Sequence, residues 1–89
     1  MKAYIIFDAR PGKERKLASI IAKQHGAEQI DRIEDSSRVV LMLRARRHKL
    51  ASVAAQIIEA AAYYTENVDL LPVRSSFKPI DQIDLDEAL

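Results

Sequence analysis

Two stretches of the chain carry apolar residues at consecutive positions together with strand-forming residue types. Residues 39–43 are five apolar residues in succession, and residues 2–9 carry β-branched and aromatic groups at both even and odd positions. Because strand side chains alternate between the two faces of a sheet, a strand that is apolar throughout must be covered on both sides. The pattern therefore predicts two neighbouring strands in the middle of a sheet with two apolar faces.

After each of these stretches, apolar residues recur at the spacing of a helix. After a break at residues 10–12, Leu17, Ile20 and Ile21 recur on one face, which predicts a helix over 12–25 that stops at Gly26. A second helix is predicted over 48–64. Its apolar stripe consists of Leu50, Val53, Ala54, Ile57, Ala61 and Tyr64.

The remaining strands are more polar and suit the edges of a sheet. The four predicted strands, in chain order, are residues 2–9, 27–34, 38–45 and 68–73. Residues 35–38 form a polar hairpin turn and residues 65–67 the turn after the second helix. Pro72 places the last strand at an edge, because proline has no N–H to donate to a ladder.

The order β-α-β-β-α-β predicts an α+β fold of the ferredoxin-like plait type, a four-stranded antiparallel sheet with both helices on one face. Residues 1–74 would form this single domain, and 75–89 a C-terminal tail. The helix-free face would carry Tyr4 and Ile6 with Val40 and Met42, or with the alternate residues of that strand. A second copy packing there would make a homodimeric α/β barrel; folding of the tail over the sheet is the alternative.

Composition narrows the function classes. The 89 residues carry a formal net charge of +1 and no cysteine, so neither a global attraction to nucleic acid nor a thiolate metal site is indicated. No apolar run approaches the ~20 residues that span a bilayer, and the first residues lack a signal-peptide layout. We expect a cytoplasmic protein with no membrane partner, no direct nucleic-acid partner and no cofactor.

Residues 3–14 (AYIIFDARPGKE), with the strand end Leu43-Arg44-Ala45, resemble the ligand-binding (RAM) domain of the Lrp/AsnC amino-acid-responsive regulators over about residues 3–74. The resemblance implies a stand-alone effector domain without the DNA-binding helix-turn-helix, assembled as a homodimer or ring of dimers. Full-length Lrp/AsnC-type regulators would be further partners. In the family, effectors bind between subunits near the loop joining strands two and three. The glycine and the aspartate that family members commonly carry in this loop correspond to Asp35 and Arg38 of this chain.

Three polar groups are candidate sites. The predicted effector pocket consists of Asp35, Ser36, Ser37 and Arg38, where Arg38 could hold a carboxylate bidentately; the alternative is a plain polar hairpin. Residues 44–49 form a basic cluster that could hold phosphate or be a solvated turn. Arg10 and Lys13 at a helix start could bind an anion. His25 and His48 have no ligand partners at metal spacing.

No nucleophile, base and carboxylate are arranged as a catalytic set, so we expect no enzyme. The first hypothesis is a non-catalytic oligomeric module that binds a small carboxylated, amino-acid-like metabolite. The alternative is a peptide-binding assembly chaperone of the periplasmic nitrate reductase type, which captures a twin-arginine signal peptide by edge pairing. A purely structural oligomeriser is a third. A dimer or ring supports the first hypothesis and a monomer the second.

Overall fold

The computed structural model describes residues 1–74, so the predicted tail lies outside the described residues. The strands are β1 (Lys2–Ala9), β2 (Ala27–Arg32), β3 (Arg38–Arg44) and β4 (Thr65–Pro72). The helices are α1 (Glu14–Ala22) and α2 (Leu50–Ala61), and short 3-10 turns at Arg47–Lys49 and Ala62–Tyr64 flank α2. The predicted order of elements is confirmed.

The four strands form one antiparallel sheet in the order β2-β3-β1-β4. The central strand β1 pairs with β3 over residues 2–8 and with β4 over residues 3–9. The two strands with apolar residues on both faces are therefore the central ones, and the strand that contains Pro72 lies at an edge, as predicted. This arrangement is the ferredoxin-like fold.

Both helices cover the same face of the sheet. Odd-numbered residues of β1 and β3 meet them, and Ile5, Phe7 and Leu41 are fully buried. Leu17 and Ile21 of α1 and Ile57 of α2 close the core from above. Each such side chain contributes about 1.5–3 kcal/mol on burial. The core consists of Ala3, Ile5, Phe7, Ala9, Leu17, Ile21, Val39, Leu41, Leu43, Leu50, Ala54, Ile57 and Ala61.

The first helix is shorter than the predicted span 12–25. Gly12 has φ +75°, which no right-handed helix can include, so α1 begins only after Lys13 donates its N–H to the Arg10 carbonyl at 2.9 Å. At the other end, Gln24 N–H bonds to the Ile21 carbonyl three residues back, which tightens and ends the last turn. Gly26, with φ +90°, belongs to the turn into β2 rather than to the helix end.

The fourth strand begins earlier than predicted. The segment 65–67, expected to be a turn, is part of β4, with Asn67 opposite Asp8 and Thr65 opposite Ala9. The register shifts between Asp8 and Ala9, so this end of the strand pair contains an irregularity. The polar side chains of 65–67 are typical of a turn, but the backbone groups of β1 pair with this segment and make it a strand.

Candidate functional site

The sheet face opposite the helices, hereafter the open face, carries the four residues predicted for the dimer interface. Tyr4 lies directly opposite Met42, and Ile6 directly opposite Val40, across the central pair of strands. All four are only partly buried, whereas their odd-numbered neighbours are in the core. Of the two alternatives left open for β3, the even-numbered one is therefore the correct one.

The apolar strip extends onto the edge strand at one point. Leu71 is opposite Tyr4 in the β1–β4 register and is 49% exposed. Asp69 follows opposite Ile6, so β4 contributes one apolar and one charged residue to this face. No secondary-structure element within residues 1–74 covers the strip.

An ion pair lies at the end of the open face that is next to the hairpin. Asp8 and Arg38 are opposite each other at the last paired position of β1 and β3, and Arg38 Nε donates to Asp8 Oδ1 at 3.2 Å. The Arg38 side chain nevertheless remains 60% exposed. Its guanidinium therefore lies at the boundary between the apolar strip and the hairpin.

The hairpin residues predicted to bind an effector are partly used in forming the turn. The Ser36 hydroxyl donates to the Ile33 carbonyl at 3.1 Å and accepts from Arg38 N–H at 3.1 Å. The Ser37 carbonyl accepts from Ala9 N–H at 2.9 Å, which ties the turn to β1. Asp35 is exposed and has φ +57°, a left-handed conformation that glycine adopts freely and aspartate tolerates. Of the four, Asp35 and Arg38 carry exposed charged groups.

The basic cluster of residues 44–49 divides between two grooves at the opposite end of the sheet. Arg44 and Arg47 line a groove of about 800 Å³ together with Lys2 and Arg74. Its other lining residues are Met1, Pro72 and Val73. The sequence interpretation missed Lys2 and Arg74, which lie far from the cluster along the chain.

The rest of the cluster faces a second groove of about 440 Å³. Arg46, His48 and Lys49 line it with His25 and Gln56, among others. His25 thus lies beside the cluster although it is about twenty residues away along the chain. Residues 1–74 contain no group of three or more His, Asp or Glu side chains placed to hold a metal ion.

The third candidate, Arg10 with Lys13, is tied to the end of α2. Arg10 Nε donates to the Tyr63 carbonyl at 2.8 Å, and Arg10 N–H donates to the Tyr64 carbonyl at 2.9 Å. These bonds account for the position of Arg10 without a ligand. Tyr63 itself is 76% exposed, and its ring lies edge-to-face on Tyr64 with the ring centres 5.0 Å apart.

The fold class defined by this geometry is the ferredoxin-like α+β plait. No family model and no curated protein sequence matches the chain. Solved structures share the fold at low identity, so the likeness concerns the fold alone. A protein from Thermus thermophilus, TTHA0845, matches with TM-score 0.69 and 16% identity over 88% of this chain and 98% of its own.

Two further structures give the same result. PH0061 matches with TM-score 0.72 and 13% identity over 88% of this chain, which spans only 54% of PH0061. A NIPSNAP family protein from Agrobacterium tumefaciens matches with TM-score 0.61 and 13% identity over 89% of this chain and 96% of its own. These neighbours support the ferredoxin-like fold and leave the resemblance to Lrp/AsnC regulators unconfirmed. Within residues 1–74, neither helix has the length and apolarity to cross a membrane.

Proposed function

We propose that this protein is a non-catalytic module that dimerises through the open face and binds a small carboxylated metabolite between the two copies, beside the hairpin. The observation that carries the proposal is the continuity of one surface. The apolar strip formed by Tyr4, Met42, Ile6 and Val40 runs directly into the exposed Arg38 guanidinium. A subunit contact and an anion-binding group are thus neighbours on the same side of the sheet.

The dimer part of the proposal depends on the apolar strip. Four half-buried apolar side chains in two adjacent cross-strand pairs, with Leu71 beside them, form a contiguous patch on a flat surface. Contiguous apolar patches of this kind mark interaction sites more often than scattered single residues do. A second copy offers the same patch, so a two-fold contact buries both at once.

The ligand part depends on Arg38. A guanidinium offers parallel N–H donors that match both oxygens of a carboxylate, and its charge does not titrate near neutral pH. Asp8 already accepts from Nε, so an incoming carboxylate would share Arg38 with Asp8 or displace it. A ring of dimers and mixed assembly with full-length Lrp/AsnC-type regulators belong to the proposal through the family resemblance alone.

The dimer is tested with a matched pair of neighbouring substitutions on β4. Leu71 lies on the open face and Leu70 on the helix side, opposite Ile5, with exposures of 49% and 38%. Light scattering after size exclusion, with all samples loaded at the same high concentration, should show mainly dimer for the unmodified chain and for Leu70→Lys, and a larger monomer fraction for Leu71→Lys. An unmodified chain that is monomeric at all concentrations would refute this part and favour the twin-arginine chaperone.

The ligand site is tested by calorimetric and thermal-shift titration with amino acids and 2-keto acids. A ligand that binds only the folded state raises its melting temperature. Arg38→Gln should abolish the shift that the best ligand produces. Asp8→Asn breaks the same ion pair but keeps the guanidinium, and should bind the ligand at least as well. Equal losses in both variants would mean that the pair supports the fold and not the ligand.

A further inference from the structure

The groove of about 800 Å³ at the end of the sheet remote from the hairpin is strongly basic. Among residues 1–74, its lining contains four cationic side chains, from Lys2, Arg44, Arg47 and Arg74, and no carboxylate. These residues come from β1, β3, the 3-10 turn before α2 and the segment after β4. Four separate parts of the chain therefore bring positive charge to one concave surface, although the formal net charge of the whole protein is only +1.

Part of this charge is unbalanced within residues 1–74. Lys2 is directly opposite Arg44 in the β1–β3 register, an arrangement of like charges that destabilises a strand pair. Each contacts a different partner: Arg44 Nε donates to Glu28 Oε1 at 2.9 Å, and Lys2 Nζ lies 5.9 Å from the centre of the Tyr4 ring. Arg47 and Arg74 have no carboxylate within 4 Å among the described residues.

The walls of the groove are held by backbone hydrogen bonds. Val73 N–H donates to the Lys2 carbonyl at 2.9 Å, and Ala45 N–H donates to the Met1 carbonyl at 3.0 Å. The start of β1 is thus tied to the chain on both sides. These bonds fix the backbone from which the charged side chains extend, so a ligand would have to order the side chains but not the chain that carries them.

We infer that this groove binds a small ligand carrying two or more phosphate groups. The volume falls in the range of small-molecule pockets, roughly 300–1,000 Å³, and exceeds what a single phosphate ion fills. Guanidinium groups bind phosphate bidentately, and Lys2 adds a flexible point charge. None of the described lining residues is aromatic and able to stack on a base, which argues against single-stranded nucleic acid as the occupant.

This site is separate from the proposed effector site. Lys2 and Asp8 lie at opposite ends of β1, and six residues of strand span roughly 20 Å. Substitutions in the groove can therefore be made without touching the Arg38–Asp8 pair. The inference stands or falls independently of the carboxylate proposal.

The test is an isothermal titration of the full chain with inorganic phosphate, pyrophosphate and tripolyphosphate at low and moderate salt. We expect one saturable site per chain, with affinity that rises from phosphate to tripolyphosphate and falls as salt is added. The double variant Arg47→Gln/Arg74→Gln should bind tripolyphosphate at least about tenfold more weakly, since it loses two charged donors. Both residues are exposed, so the fold should survive.

The matched control is Arg15→Gln/Lys16→Gln, which removes the same charge from exposed positions of α1. Tripolyphosphate affinity should change little in this control. Equal weakening in both double variants, or more than one ligand bound per chain, would refute a defined site. Tighter binding of a mixed-sequence oligonucleotide than of tripolyphosphate, lost in the groove variant, would replace the inference with a nucleic-acid surface. Dimerisation and carboxylate binding should be unaffected by the groove variant.

Discussion

The turn between β2 and β3 depends on a residue in a left-handed backbone conformation. Asp35 has φ +57° and is exposed, and no other non-glycine residue of the described chain has positive φ. A non-glycine residue in this region is disfavoured by roughly 1–2 kcal/mol, and aspartate is among the residues that tolerate it best. Asp35→Ala should therefore lower the free energy of unfolding by about 1 kcal/mol, because alanine lacks that tolerance.

Asp35→Gly should behave differently from Asp35→Ala. Glycine relieves the backbone strain in the folded state but gains freedom in the unfolded state, worth about 0.4–1 kcal/mol in the opposite direction. The two effects nearly cancel, so the glycine variant should stay within about 0.5 kcal/mol of the parent. The family glycine at this position would then be compatible with the same turn.

Urea unfolding followed by circular dichroism measures these differences, at one fixed protein concentration because dimerisation raises apparent stability. A loss of about 1 kcal/mol corresponds to a drop in melting temperature of roughly 4–8 °C for a domain of this size. The control is Glu34→Ala at the neighbouring exposed residue, which should change stability by less than about 0.5 kcal/mol. If the alanine variants at 34 and 35 are equally stable, the strain argument is refuted.

Two further predictions concern the same kind of measurement. Gly26→Ala should lower the free energy of unfolding by more than Gly12→Ala. Both glycines have positive φ, but only at Gly26 would an added Cβ meet other atoms, 3.1 Å from the Arg44 carbonyl oxygen and 3.2 Å from Val53 Cγ1. Similar losses of stability in the two variants would contradict this. Glu28→Gln should cost less than about 1 kcal/mol, and less still at high salt, because its ion pair with Arg44 is largely solvated; a loss that salt does not reduce would contradict this.

The fold was predictable from sequence because one physical rule determined most of it. Apolar residues on both faces identified β1 and β3 as the central strands. Which residues of β3 face the helices stayed open, because 39–43 are apolar at every position, and the pairing with β1 decided it. Element ends were less predictable. The predicted helix included Gly12, whose φ of +75° excludes it from a right-handed helix. The polar segment 65–67 has the residue types of a turn, but it pairs with β1 and is therefore a strand.

The candidate sites were predictable only where neighbours in sequence are neighbours in space. The hairpin residues and Arg38 are neighbours in sequence and could be predicted as a group, although the pairing of Arg38 with Asp8 depends on the strand register. The basic groove did not qualify, because Lys2 and Arg74 join Arg44 only through the sheet. The strand order contained the necessary information, because antiparallel pairing brings the start of β1, the end of β3 and the end of β4 to the same end of the sheet. Combining that order with the charges would have found the groove.

The size of the open face determines how strong the proposed dimer can be. Four strands spaced about 4.8 Å apart, with about seven residues of about 3.3 Å each, give a face of roughly 440 Å², or close to about 900 Å² for two copies. Stable interfaces bury about 1,200–2,000 Å² of accessible surface. Side chains add relief to the flat footprint, which places the sheet face alone near the lower end of that range. Charged pairs at both ends, Asp8–Arg38 and Lys2–Arg44, restrict its apolar part to two rows.

An interface of this area should be concentration-dependent. We expect sedimentation velocity across about 1–100 μM to show a shift from monomer to dimer, as for weakly associating partners. Ile6→Lys should remove the dimer at every concentration, because a lysine buried at the centre of the contact would have no partner. In the isolated subunit the same position is only half-buried, so the monomer should keep its melting temperature within a few degrees. A dimer that persists in the Ile6→Lys variant would show that the open face is not the contact.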